Sequence, residues 1–595
     1  MKNHLTSLCL LVAASSLAAQ NTFPLPASAA PGSTNATENT APFQAPLRMT
    51  QTLVTNRNTL NAQGLPSTFG LWDMSDFDPT GRYIFTPSEV GTGCGVFRFD
   101  QQTGAMAVLM AGNTSLPRSA DPNTWVATND NYARFDPCTF TPFGTVVTGE
   151  ETTGGRMFEV TNPLSAGPFN VRWLSKVPAV AHEGMRFDAQ GNLYVVDEDN
   201  SGCVYKFVPT VAGDLSNGQT FVLSVNGYAS NPNAVPSETW NSTANRLTTR
   251  TGQATWVPLT GPNGAQITTA NPFAYVTTTG GRTAADEVFG TPYGRPEDAD
   301  LNTLASGNQC LYFTATSENT VYGIELTGGN TAIVRTFCNF NTINLATGLD
   351  VNPLQNDPYT SPGAGTVFQS PDNLAVDAFG NVYVIEDGEP NGGDIWKCVD
   401  ADKDGVAEAL GIFVTLGVTG SEPTGMVFDP SNPYRFLVNV QHPASGNDAT
   451  WAFTTRPYAG SNGDLVLKTG VDAAGRTGPG EFVKSATGSN VVGFETSSPN
   501  GTLSARPFAL LLQPVNTAAG VAPYLPPLWM SPFLPIIPLV GGPAGQFTTV
   551  LPWAGSSVAV QVPGFLGGLS VIAQSIGVAA NGSLVCSDAH EIVLR

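Results

Sequence analysis

The sequence predicts an all-β protein, a six-bladed β-propeller with one large insertion, followed by a C-terminal β-sandwich module. Three observations carry this. Gly (63) and Pro (46) are abundant and few windows repeat at the helical period. Short apolar runs bounded by Gly, Asn, Asp and Pro recur along the chain. One unit also returns at irregular spacing: an acidic residue, a short apolar strand, an Asp-containing turn with Gly, a second strand, then polar residues.

Before these repeats, Lys2, an apolar run from Leu5 to Leu17 and small residues at Ala18 and Ala19 read as a signal peptide over residues 1–19. Residues 20–44, rich in Ala, Pro, Ser, Asn and Thr, read as a flexible lead-in. The propeller is expected over 45–490. Its copies open at Asp73, Asp136, Glu183, Glu297 and Asp372, and the last at Thr424 with Glu422 just before it. The widest gap predicts an inserted excursion at about 210–290. From 491 to 595 the chain becomes Pro-rich and then alternates, as at Val558, Val560 and Val562, which suits a β-sandwich. That module holds no clustered carboxylates or histidines and is expected to be accessory, with a cell-surface association as one role. The most apolar stretch, Trp529 to Val540, is interrupted by Pro532, Pro535 and Pro538, so no transmembrane segment is expected.

The repeat has a chemical consequence. In each copy two antiparallel strands are joined by a tight turn, so the residue before the first and the residues after the second lie on one face. A propeller gathers these positions around one axis. Asp73, Asp136, Glu183, Glu297 and Asp372 are the entries; Glu89, Glu150, Glu151, Asp197, Glu198, Asp199, Glu386, Asp387, Gln441 and His442 are the exits. Carboxylates crowded together repel, and hard cations with oxygen ligands relieve the repulsion. Any one of these acids could instead cap a turn. The net charge of −21 excludes nucleic acid as a partner and suits divalent cations, or simple solubility. Of eight cysteines, seven lie beyond residue 19, an odd number that leaves at least one thiol unpaired within an exported chain.

Several separated phrases then point to a family. They are CTFTPFGTVVTGEE (138–151), HEGMRFD and DEDNSGCVYKFVP within 182–209, GRPEDAD (294–300), PDNLAVDAFGNVYVIEDG (371–388), and EPTGMVFDP with VNVQHPA within 422–444. In this order they resemble the PhoX-type alkaline phosphatases, secreted propellers that depend on calcium and iron. The resemblance implies a secreted or periplasmic phosphatase acting on small phosphate esters. It implies a cysteine ligand to iron at Cys138 and acidic ligands to iron (Fe3+) or calcium at Glu150, Glu151, Glu183, Glu297 and Asp372, with either Asp372 or Asp387 as the iron ligand. It also implies a phosphate clamp at Arg295 and a substrate-side amide at Asn373. The sequence departs from the pattern at Thr139 and Phe140, where a glycine pair is expected, at Gly149, where a cysteine is expected, and in the first copy, which reads TPSE.

Arg295 reads equally as a salt-bridge partner of nearby acids, Cys138 as a buried thiol, and His182 and His442 as satisfied polar residues. A second expected calcium loop is Asp400, Asp402 and Asp404 before Gly405, with Glu408; the bidentate acid of an EF-hand would fall at Gly411, so it reads as a calcium loop or an acidic turn. The FD-x-x-G-N-x-Y phrases are shared with gluconolactonase-type propellers. Two other readings therefore stand beside the phosphatase: a calcium-dependent lactonase-like hydrolase and a non-catalytic calcium-binding propeller.

Overall fold

The computed structural model describes residues 38–45, 49–345, 347–355, 357, 359, 367–378, 380–387, 393–400, 402–432, 435–455, 463–472, 476, 483–516, 530, 535–541, 549–563 and 569–594. The expected signal peptide and most of the lead-in lie outside these residues. The chain divides into two compact units, 26–456 and 457–595.

The first unit is built almost wholly of strands. Two lead strands, β1 (Phe43–Gln44) and β2 (Met49–Asn56), precede a meander of β3 (Asp76–Phe77), β4 (Tyr83–Pro87), β5 (Gly95–Asp100) and β6 (Met106–Ala111). A second four-stranded meander holds β7 (Phe135–Phe140), β8 (Val146–Glu150), β9 (Met157–Val160) and β10 (Val171–Trp173). Next come β11 (His182–Phe187), β12 (Leu193–Asp197), β13 (Val204–Val211) and the long β14 (Asp214–Val225), then β15 (Gly252–Pro258). A fourth meander follows: β16 (Pro296–Thr303), β17 (Gln309–Ala315), β18 (Thr320–Gly328) and β19 (Thr331–Cys338). β15 pairs with both β14 and β19, so the excursion is not free-standing; it welds the third and fourth meanders into one nine-stranded sheet.

After β20 (Ile343–Asn344), a fifth meander holds β21 (Pro371–Val376), β22 (Val382–Glu386), β23 (Asp394–Val399) and β24 (Ala409–Leu416), with β1 on the edge of its sheet. The sixth holds β25 (Glu422–Phe428), β26 (Arg435–Gln441) and β27 (Ala449–Thr455), and its outer strand is β2 from the start of the unit. That pairing fastens the two ends of the unit together and covers what would be an open sheet edge.

Packing between sheets makes the ring. Phe85 and Val96 meet Phe135 and Phe158; Val147 and Met157 meet Val195 and Tyr205; Tyr194 and Val196 meet Phe313 and Ile324; Tyr312 and Val321 meet Leu374 and Trp396. Rings of Tyr383 and Phe413 contact Phe428 and Phe436, and Leu437 and Ala452 return to Phe77 and Phe97. The sheets thus follow one another in a closed cycle, and the molecule is a β-propeller. The first strand of each meander is innermost: β3, β7, β11, β16, β21 and β25 neighbour one another in turn.

The repeated aspartate of each turn is structural. Asp188 accepts hydrogen bonds from the backbone N–H groups of Gln190 and Asn192, both at 2.9 Å, and from the Tyr194 hydroxyl at 3.1 Å. Asp377 does the same with Asn381 (2.8 Å) and Tyr383 (3.1 Å). This is an Asx turn, and it is why D-x-x-G-N-x-Y recurs.

The second unit has two sheets. One holds β28 (Val466–Val471), β30 (Val491–Ser497) and β34 (Ser556–Gln561). The other is built on β29 (Val483–Ala486), β36 (Leu584–Leu594), β35 (Leu569–Val578), β31 (Pro507–Asn516) and β32 (Ile537–Val540), with β33 (Thr549–Val550) also on β31. Leu467, Val492 and Phe494 of the first face Leu510, Ala573 and Ile592 of the second, a β-sandwich. Among the described residues, no grouping of possible metal ligands lies in this unit. Among the described residues, no helix is long and apolar enough to cross a membrane.

Candidate metal centre and active site

A β-bulge sets four of the five entry carboxylates. Phe135 pairs with Glu150 but Cys138 with Thr148, which leaves one extra residue on β7 at Asp136. The same one-residue shift occurs between His182 and Met185, Pro296 and Ala299, and Pro371 and Leu374. A bulge bends the strand and re-aims a side chain. Here it turns Asp136, Glu183, Glu297 and Asp372 toward their neighbours on the other inner strands.

A second repeated contact places the exits. The residue two before each entry acid offers its carbonyl to the exit N–H: Leu71 to Glu89 (2.9 Å), Arg134 to Glu151 (2.8 Å), Ala181 to Glu198 (3.0 Å), Arg295 to Thr316 (3.1 Å) and Ser370 to Asp387 (2.9 Å). Entry and exit acids therefore share one face of the propeller.

Two groups of three result. Ligand oxygens of Asp73, Glu89 and Asp136 lie within 4.8 Å of one another, and so do those of Glu183, Glu297 and Asp372. Burial raises the Asp73, Asp136, Glu183 and Asp372 carboxyls well above the usual range, and neighbouring acids add to it: Glu89 at Asp73, Asp73 at Asp136, Glu297 at both Glu183 and Asp372. Glu297 is raised to about 7, first by burial. Glu151 is pushed up to about 12 by burial and by Glu198 and Glu89 beside it. Glu422 and Asp387 contribute further negative charge at Asp372.

Opposing this is little positive charge. Arg295 pairs with Glu198 and, at 3.0 Å, with Glu297, and its side chain is 40% exposed. Arg134 stands 3.4 Å from Glu151. The His442 imidazole is raised to about 9, first by its hydrogen bond to Glu422 at 2.7 Å. Asp73 Oδ1 and Asp136 Oδ1 are buried with no hydrogen-bond partner among the described residues. Carboxylates grouped in threes, buried or half-buried and in part unsatisfied, are a donor set for hard cations.

Of the residues singled out by the sequence, the structure brings together Glu151, Glu183, Glu297, Asp372 and Asp387 with Arg295. Asn373 is buried beside them; its Oδ1 accepts from Gly425 N at 2.7 Å and its amide partly offsets the rise at Asp73. Two residues fall elsewhere. Cys138 packs among Phe85, Cys94, Phe135, Val146 and Phe158. Strict alternation would put it beside Asp136, but the extra residue of the bulge turns it into the hydrophobic layer. Burial then raises its thiol well above its usual value. Glu150 is fully buried against two arginines, 2.7 Å from Arg118 and 2.8 Å from Arg156. Although burial alone would raise it, these guanidiniums hold its carboxyl below the usual range. Arg156 also pairs with Asp130, so Glu150 belongs to a buried ion network that ties the second meander to its preceding loop. Asp400, Asp402 and Asp404 approach one another within 4.8 Å, apart from the axis and without Glu408.

The glycine at 149 has a cause in the packing. A Cβ there would lie 2.6 Å from His182 Cβ, so no cysteine fits while His182 fills the space. Burial lowers that imidazole to about 4. Sequence reasoning that follows the phrases leaves out Arg134, whose signal is its spacing: Arg134–Asp136 matches Arg295–Glu297.

The family profile "Alkaline phosphatase PhoX" matches residues 111–444, more than half of the chain. The chain belongs to the PhoX alkaline phosphatase family. The match runs from the end of the first meander to the sixth meander and includes every acid of the two groups except Asp73 and Glu89. PhoX proteins are phosphatases, so the family assigns a hydrolase. No curated protein matches the chain in sequence. Among solved structures it is similar to the periplasmic gluconolactonase of Pseudomonas aeruginosa (16% identity, TM-score 0.29, covering 63% of this chain and 83% of that one). It is also similar to a luciferin-regenerating enzyme (10%, 0.32, 65% and 92%) and to the WD40 domain of Neurospora crassa Pan2 (9%, 0.30, 68% and 95%).

Proposed function

We propose that this PhoX-family protein is an exported, metal-dependent phosphatase that hydrolyses small phosphate esters on the central face of its propeller. The observation that carries the reading is the pair of carboxylate groups, Asp73–Glu89–Asp136 and Glu183–Glu297–Asp372, four of them buried and two half-buried around one axis, rimmed by Arg295. Calcium and iron as Fe3+ are the proposed cofactors. The donor set is oxygen throughout, which suits calcium and equally a trivalent iron; a thiolate from Cys138 is not part of it.

When bound, such cations neutralise phosphate charge and lower the pKa of a coordinated water. The chain's own residues do the rest. The six carboxylates would hold the cations, and the bulges at Asp136, Glu183, Glu297 and Asp372 would set the positions of those four. Arg295 would exchange part of its pairing with Glu198 and Glu297 for two phosphate oxygens, since a guanidinium binds them through a bidentate fork. Asn373 would keep Asp73 and the Gly425 backbone in register.

The test is to purify the full chain from a host supplied with calcium and iron, determine its metals by elemental analysis, and assay p-nitrophenyl phosphate. Metal-bound protein with hydrolysis lost on Asp136→Asn or Glu297→Gln supports the reading. Lactone hydrolysis with calcium alone would replace it by the lactonase-like one. Calcium-dependent stability with no hydrolysis of either substrate would leave a non-catalytic propeller.

A further inference from the structure

We propose that Arg134 is a second phosphate-binding residue of this centre, a counterpart of Arg295; the inference rests on the phosphatase reading above. Arg134 stands two residues before Asp136, as Arg295 stands two before Glu297. Both have left-handed backbones, with φ of +48° and +52°. Both carbonyls accept the hydrogen bond from the neighbouring strand exit. The two arginines thus occupy one repeat position in two meanders and leave the backbone in the same way.

The turn itself does not call for arginine. Leu71 and Ser370 fill the same left-handed position elsewhere in the ring, with φ of +53° and +45°. Only at 134 and 295 does the sequence place a guanidinium there. The Arg134 side chain is 51% exposed and, among the described residues, makes one long ion pair, 3.4 Å to Glu151. Glu151 in turn lies against Glu198, the partner of Arg295. The two guanidiniums therefore flank one pair of acids at the rim. A planar group with five donors and a single long contact has donors left for an oxyanion.

A dianionic phosphate entering over the carboxylate groups would meet repulsion from every unneutralised acid. Two guanidiniums at equivalent positions would offset it from two directions and hold more than one of its peripheral oxygens.

The experiment uses the metal-loaded full chain, with Arg134→Gln, Arg134→Lys and Arg295→Gln. Inorganic phosphate binding is measured by calorimetry, alongside KM and kcat for p-nitrophenyl phosphate and the metal content of each variant. Arg134→Gln is expected to weaken phosphate binding and raise KM by roughly tenfold, the loss of one charge-assisted hydrogen-bonded pair. Arg134→Lys, which keeps charge but not the fork, should fall between. Metal content should match wild type. If Arg134→Gln binds phosphate as wild type does while Arg295→Gln does not, this proposal fails and the phosphatase reading stands. If the metal-loaded wild type binds no phosphate, both fail.

Discussion

Glu297 offers the sharpest test of the crowded centre because its carboxyl can be followed through pH in the metal-stripped protein. Burial, with Glu198 nearby, raises it from 4.5 to about 7 in the folded chain. A carboxyl raised in the folded state binds its proton more tightly there than in the unfolded chain. Its contribution is therefore fully present below about pH 4.5 and is lost as pH rises through about 7. The difference of about 2.5 units at about 1.36 kcal/mol each is on the order of 3 kcal/mol. The metal-stripped wild type should lose that stability between these pH values, measured by urea unfolding at pH 4.5, 5.5, 6.5 and 7.5. Glu297→Gln cannot ionise and should lose less over the same window by about that amount. Restoring calcium should flatten the wild-type fall, since cation binding favours the ionised carboxylates. Equal pH slopes for the stripped wild type and Glu297→Gln would refute the reasoning.

Other outcomes follow from single contacts. Arg156→Met should cost about 3–5 kcal/mol in urea unfolding, because it strips the buried Asp130 of its guanidinium and leaves Glu150 with Arg118 alone, and should leave the metal content of the surviving fold unchanged. Cys138→Ser should retain wild-type metal stoichiometry and hydrolysis, with a stability loss of about 1–3 kcal/mol from a hydroxyl set among aromatic and aliphatic side chains. Gly149→Ala should destabilise by about 1–3 kcal/mol, because its Cβ meets His182 Cβ at 2.6 Å; Gly149→Ala combined with His182→Ala should recover part of that loss, read from thermal unfolding.

Much of the fold was legible because the repeat has a mechanism. The Asx turns at Asp188 and Asp377 fix the hairpin, so a period in the text became a period in space. The entry acids could be read for the same reason. What alternation alone missed is the bulge. One extra residue at Asp136 changes which side Cys138 faces, and the only mark of it in DPCTF is Pro137, which an inner strand tolerates at a bulge. Glu150 and Glu151 are adjacent and equally acidic, yet one meets Arg118 and Arg156 and the other meets Glu198 and Glu89. Period-two reasoning separates their faces, but only the long-range partners show which face is the centre. Arg118 lies 32 positions before Glu150, in a loop whose path the local pattern does not specify. The welding of two meanders by β15 was likewise out of reach, because a strand inside an excursion carries no mark of which edges it will cover.

The central claim is that separate inner strands deliver carboxylates to cations on one axis. Crystals of the active, metal-loaded chain, with anomalous scattering recorded at wavelengths that distinguish iron from calcium, test it most directly. Anomalous peaks should fall between Asp73, Glu89 and Asp136 and between Glu183, Glu297 and Asp372. Active protein whose metals sit elsewhere, or on Cys138, would contradict the account.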